Sequence, residues 1–424
     1  MPHANNFQHT EYSRADPGPR LATRDVTTEP PVDSAPWHDQ MAAYGARLRE
    51  SGVRLVVFLH GVPLGTDLFG AQRLDDVGGL KRGYSRGISG LDSLLSLLRD
   101  ETNGLAGPPE WPTPPWQNDA ATKQGLDETL RDACNFTDEY VATFQKAVNR
   151  GAAHPIRCER YLWSCESHHL GRAQAACLLL DQLRQWVKAY GLGAGDRILV
   201  QAHGHAALLM ALITNLLDPA PLSGRPLLLQ ALQQHVTQTT APSLSTDQLR
   251  ALESSLEQGE GLFGARLDVV TLGAPVRYGW DLDGVDRLLH LINHRTLRLD
   301  GKRWLAKMEL PQVTMEMPIA WGGDYVQQLA TAGTDARPAT PEAQALNKQL
   351  WELLEPWDGF ERWLEIARRS VRCPNDGLCR LIDYKDCTGS TTARDHYFGH
   401  AAYTRLQAML PNLTEIIDAC YSAR

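Results

Sequence analysis

Several histidines in this chain stand where an apolar run stops. His203-Gly204-His205 follows the apolar residues 198–202, His60-Gly61-Val62 follows residues 53–59, and His168-His169 lie a few positions beyond residues 160–164. His294 follows the apolar residues 288–292, and His396 and His400 share the segment His396-Tyr-Phe-Gly-His400 near the C-terminus. A neutral imidazole takes or gives a proton near pH 7, and its free lone pair also binds a metal ion. A carboxylate beside such a ring fixes its tautomer and stabilises its charged form. Asp324 in Gly322-Gly-Asp-Tyr, Asp335 and Asp383 are acids of the C-terminal half that could stand beside one of these histidines. Among side-chain nucleophiles, Cys165 stands next to Ser164, with His168 or His169 in reach to depress its thiol pKa; Ser164 and Ser167 are weaker candidates. Three converging imidazoles would hold Zn²⁺ and supply a hydroxide. Neither His-x-His nor His-His is a specific ligand spacing, so no metal site is assigned and no cofactor is expected.

The elements that must position these groups follow from hydrophobic pattern. Residues 53–59, 198–202, 267–272, 288–292 and 378–382 are short and nearly all apolar, as strands buried on both faces are, and 160–164 is a shorter one. Helices are expected over residues 37–50, 90–99, 126–149, 170–190, 206–217 and about 401–410. Strands that alternate with helices predict an α/β protein with a mostly parallel, doubly wound sheet. Residues 1–40 are polar and proline-bearing and read as a disordered tail; one domain fills 41–424, with helical cap insertions at about 83–150 and 218–264. The stiff Pro108–Trp116 segment falls in the first insertion.

The strand, tight turn and helix around Ala202-His203-Gly204-His205-Ala206 resemble the nucleophile elbow of α/β-hydrolases of lipase or esterase type. His60-Gly61-Val62 resembles the oxyanion loop of that family, Thr271-Leu-Gly-Ala-Pro275 the strand end after the elbow, and residues 163–172 a strand-end segment before a helix. The resemblance implies an α/β-hydrolase fold and a carboxylic ester or related acyl compound as substrate or ligand. It implies a base at His400, with His396 second, an acid at Asp324, and a pocket lined by His60, Gly61, Val62, His203, His205, Cys165 and His168. It also implies a nucleophile at position 204, where this sequence has glycine and so has no atom to attack with. Three readings follow: a hydrolase whose nucleophile lies elsewhere, a pseudo-hydrolase that binds an acyl ligand or a partner without cleaving, and metal-assisted hydrolysis by histidines. A serine restored at 204 would be expected to create or raise activity.

Composition bounds these readings. The 424 residues carry a formal charge of −8 and are 43% hydrophobic, without the basic stripe of a nucleic-acid binder. No apolar stretch approaches the ~18 residues of a membrane-spanning helix. The first ten residues lack both a basic and an apolar region, so no secretory signal is expected. Eight cysteines without a Cys-x-x-Cys pair fit a reduced cytoplasmic setting, although Cys373, Cys379 and Cys387 lie close enough in sequence to bridge.

Overall fold

A computed structural model describes residues 21–27, 29–61, 118–218, 224–238, 244–295, 323–327, 338, 340–354, 373–374, 376–385 and 393–422. Val62, Asp335, Cys387, the helix expected near 90–99 and the Pro108–Trp116 segment lie outside them. Seven parallel strands form one sheet: β1 (Thr23–Val26), β2 (Val53–Leu59), β3 (Arg157–Tyr161), β4 (Arg197–His203), β5 (Arg266–Leu272), β6 (Arg287–Asn293) and β7 (Leu378–Tyr384). Their order across the sheet is β1-β7-β6-β5-β4-β2-β3, with every pairing parallel. The class is therefore α/β, and among the described residues no antiparallel strand joins the sheet.

Alternation along each strand sorts the core into two layers. Leu55, Val57 and Leu59 of β2, Ile198, Val200 and Ala202 of β4, and Leu267 and Val269 of β5 face one side. They pack there against α4 (His169–Tyr190) and α5 (Ala206–Leu217). Val53, Val56 and Phe58 of β2, with Leu199 of β4 and Val270 and Leu272 of β5, face the other side. This second layer meets α1 (Ala35–Glu50), α3 (Asp138–Val148) and α10 (Met409–Ile416). Phe58 lies 5.2 Å, ring to ring, from both Phe136 and Phe144.

Three expectations about organisation change. The polar stretch read as tail up to residue 40 contains β1, and α1 starts within it at Ala35. Thr23–Val26 has no apolar run because an edge strand needs only backbone partners, which β7 supplies, and Arg24 is anchored by Glu415 at 3.1 Å. The single helix expected over 126–149 is two, α2 (Ala120–Leu130) and α3, and the described part of the first cap region places α3 on the sheet itself, against α1 and β3. Thr137 starts α3 by accepting from Tyr140 N at 3.0 Å, with Asp138 and Glu139 favouring the helix N-terminus. The closing stretch at 401–410 is a 3₁₀ segment, Tyr397–Thr404, and α10 begins only at Met409. The second cap region does form an outer layer, in which α6 (Arg225–Gln238) and α7 (Thr246–Glu257) cover α4. No disulfide joins Cys373 to Cys379.

Candidate active site

The strands β2 and β4 lie side by side, one strand in from the β3 edge of the sheet, and parallel pairing brings their C-terminal ends, His60-Gly61 and His203-Gly204, together. Gly204 adopts φ +54°, a left-handed turn that joins β4 to α5, and its N–H donates to Leu272 O at 2.8 Å. The elbow shape expected from sequence is present, without a side chain at its tip.

The ring of His400 stands over that tip. Its Nδ1 meets Asp324 Oδ2 at 2.7 Å, and Asp324 also accepts from Tyr403 OH at 3.0 Å and from Gln327 N at 2.8 Å. All four groups are buried. The two partners come from different loops and are locked together by the end of β6. Asn293 N donates to Tyr403 OH at 2.6 Å, Asn293 Nδ2 donates to Gly399 O at 2.9 Å, and Asp324 N donates to Asn293 O at 2.9 Å. Gly273, at φ +65° after β5, allows this approach, since a Cβ there would lie 2.6 Å from Asp324 Oδ2. With Nδ1–H directed at the carboxylate, His400 Nε2 carries the free lone pair and points at the turn. A Cβ built on Gly204 would lie 2.6 Å from that Nε2. The ring thus fills space that a side chain at 204 would claim.

His203 supports the same ring from below. Its Nε2 donates to His400 O at 2.8 Å, and the ring centroids lie 4.1 Å apart. Burial holds His203 well below the ordinary histidine range, with charge on His400 and His60 adding to the effect, so it stays neutral. Its Nδ1 is buried without a hydrogen-bond partner.

Cys134 completes the cluster, and the sequence reading missed it. Its thiol and one ring nitrogen each of His203 and His400 lie within 4.8 Å of one another, all buried. The backbone at Cys134 is left-handed, φ +59°, a conformation that non-glycine residues adopt at a cost of order 1 kcal/mol and keep where the surroundings enforce it. Here they do. Arg160, from β3, donates to Asp127 at 2.7 and 3.0 Å, to Asp138 at 2.9 Å and to Asn135 Oδ1 at 3.0 Å. From the other side Thr404 Oγ1 donates to Asp132 O at 2.6 Å, and Arg405 pairs with the Asp132 carboxylate. Burial, followed by the charge of Asp324, pushes the Cys134 thiol well up, so at rest it is protonated.

The other expected site residues divide plainly. His60 sits at the same sheet edge, where Nε2 accepts from Trp163 N at 3.1 Å and the carbonyl accepts from Trp163 Nε1 at 2.9 Å. Burial, reinforced by Arg160, lowers its pKa to about 3, and it ties β2 to the segment after β3. Cys165 lies against His60, Sγ to Nδ1 3.7 Å, and its thiol is pushed well up by burial and by Glu166. The histidines expected to activate it are engaged elsewhere. His168 Nδ1 caps α4 by accepting from Gly171 N at 2.9 Å, and His169 Nδ1 meets Tyr278 OH at 2.7 Å. Ser164 donates to Glu166 and Ser167 to Cys165 O. His205 lies 3.4 Å from Arg172, His294 bridges to Gly323, and His396 ends α9 (Ala393–His396), separated from His400 by three residues at positive φ. Asp383 is held by Arg295 at 2.8 Å, so Asp324 is the acid that meets His400. The Gly61 N–H, expected to face an oxyanion, donates instead to Cys134 O at 3.3 Å. That contact joins the loop carrying the thiol to the end of β2.

Comparison with known proteins finds no family model, no curated protein and no solved structure that matches this chain. The described residues contain no helix long and apolar enough to cross a membrane.

Proposed function

We propose that this chain is a hydrolase of the α/β-hydrolase type, acting on a carboxylic ester, thioester or related acyl compound with Cys134 as nucleophile. The observation that carries the reading is the buried His400–Asp324 pair, whose Nε2 faces the turn at Gly204, with the Cys134 thiol within 4.8 Å of a ring nitrogen of His400. In the attacking step Cys134 Sγ bonds to the acyl carbon while its proton passes to His400 Nε2, and Asp324 stabilises the imidazolium. That proton then goes to the departing alkoxide or thiolate, and water, deprotonated by the same ring, releases the acid. Proton transfer coupled to attack suits a thiol that burial keeps neutral. The parallel pairing of β4 with β2 and β5 and the tight turn from β4 into α5 support descent from the hydrolase fold, although the antiparallel strand usual at one edge of that fold is not among the described residues.

One observation favours a second reading, a pseudo-hydrolase that binds an acyl ligand without cleaving it: His400 occupies the space of the absent side chain at 204. A panel of short- and long-chain esters and thioesters separates the two. Turnover above a heat-killed control, lost in both Cys134→Ser and His400→Ala and insensitive to a serine-directed fluorophosphonate, supports the thiol route. No turnover across the panel by a folded protein favours binding alone.

A further inference from the structure

The geometry points to a binding site for a thiophilic divalent cation of the Zn²⁺ class, held by Cys134 Sγ, His203 Nδ1 and His400 Nε2. Three features of the side chains converge on it. The Cys134 thiol and one ring nitrogen of each histidine lie within 4.8 Å of one another, and a tetrahedral zinc with bonds of about 2.0–2.3 Å needs its ligands about 3.3–3.6 Å apart, a shift of at most about 1.5 Å between any two of them. Both rings already have the tautomer a metal requires. His203 donates through Nε2 to a carbonyl and His400 donates through Nδ1 to a carboxylate, so the remaining nitrogen of each carries its lone pair toward the cluster. The arrangement at His400 is the carboxylate–histidine pairing that orients metal ligands from behind.

The unpartnered His203 Nδ1 is the independent sign that a group is missing. A buried ring nitrogen without a hydrogen bond costs free energy unless something fills the role, and a metal ion does so. Charge agrees. On binding, the Cys134 thiol gives its proton to solvent, and the resulting thiolate with the Asp324 carboxylate balances a divalent cation. Three protein ligands leave the fourth position open to a solvent water, as in catalytic rather than structural zinc sites.

His203 has no part in the acyl chemistry proposed above, so the cation site does not rest on that reading. The two uses compete for two atoms, since a bound metal removes the His400 lone pair and the Cys134 thiol from proton transfer. The test is made on the full chain, stripped with a chelator, reloaded with Zn²⁺ or Co²⁺ and freed of excess ion, with no substrate present. One retained equivalent is expected, with a thiolate-to-metal charge-transfer band in the Co²⁺ form. The band should vanish in Cys134→Ser and persist in Cys165→Ser. Retention should fall sharply in His203→Gln, while Asp324→Asn, which keeps every ligand, should lower affinity about ten- to a hundredfold. Circular dichroism confirms that each variant is folded. Retention below a tenth of an equivalent by the folded wild-type chain, or a thiolate band that survives in Cys134→Ser, would overturn the site. Absence of esterase activity alone leaves the metal result intact, because every readout here is binding.

Discussion

Gly204 shows how much one missing atom rearranges. The lone pair of His400 lies 2.6 Å from where a Cβ would stand, closer than real Cβ contacts come, so a side chain there forces the imidazole to move. Sequence alone implied that serine at 204 would restore activity. The packed ring reverses that expectation: Gly204→Ser should give no gain in ester turnover and should cost about 1–3 kcal/mol of stability, read from urea denaturation midpoints. A robust fluorophosphonate-reactive serine in that variant would show that His400 retreats freely. Site residues were legible in proportion to how local their signal was. His400, Asp324 and the turn at 204 could be placed because each follows an apolar strand and sits in a recognisable short motif. Cys134 could not, because its role depends on contacts from residues 160 and 404, far away in sequence. One local signal was available: Thr137-Asp138-Glu139 is a helix start, and it splits the expected helix just after Cys134.

Among the elements, the turn between α2 and α3 deserves comparison with the turn after β4. Both contain residues at positive φ, but Gly204 takes that conformation without steric cost, whereas Arg131 and Cys134 must be held in it. The Arg160 guanidinium supplies the hold from β3, with its side chain buried and Asp127 partly exposed beside it. Asp127→Asn removes a charge from this group while Asp138 remains, so it should cost about 2 kcal/mol, below the range for fully buried pairs. It should also loosen the turn. Iodoacetamide labelling is therefore expected to accelerate at Cys134 and stay unchanged at Cys177, which is buried in the middle of α4. Equal labelling rates in variant and wild type would mean that the turn is held by Thr404 and Arg405 alone. Strand positions were readable to within about three residues because buried parallel strands are continuous apolar runs. β1 was not readable, since the three polar residues and one valine of Thr23–Val26 show no apolar run, and an edge strand needs only hydrogen bonds.

For the whole molecule, the two-layer core buries neutral histidines whose protonation belongs to the unfolded chain. His60 titrates near 6.5 when unfolded and near 3 when folded, so between those values the unfolded state binds the extra proton. Stability contributed by the neutral ring is therefore complete above about pH 6.5 and is lost as pH falls toward 3; His203 acts in the same direction. Between pH 6.5 and pH 5 the loss is about 2 kcal/mol for such a group. Unfolding free energies from urea titrations at pH 7 and pH 5 should differ by less in His60→Gln than in the wild-type chain; an unchanged difference would place the acid sensitivity elsewhere. The doubly wound organisation could be anticipated from alternating strands and helices, whereas the assignment of α3 to the sheet face needed the packing of Phe58, Phe136 and Phe144. The proposed reaction centre is tested most directly by intact-protein mass spectrometry after brief exposure to an acyl thioester, followed by peptide mapping. The account predicts a single acyl adduct on Cys134 that is absent in His400→Ala. An adduct on any other residue, or one on Cys134 that forms equally fast without His400, would contradict it.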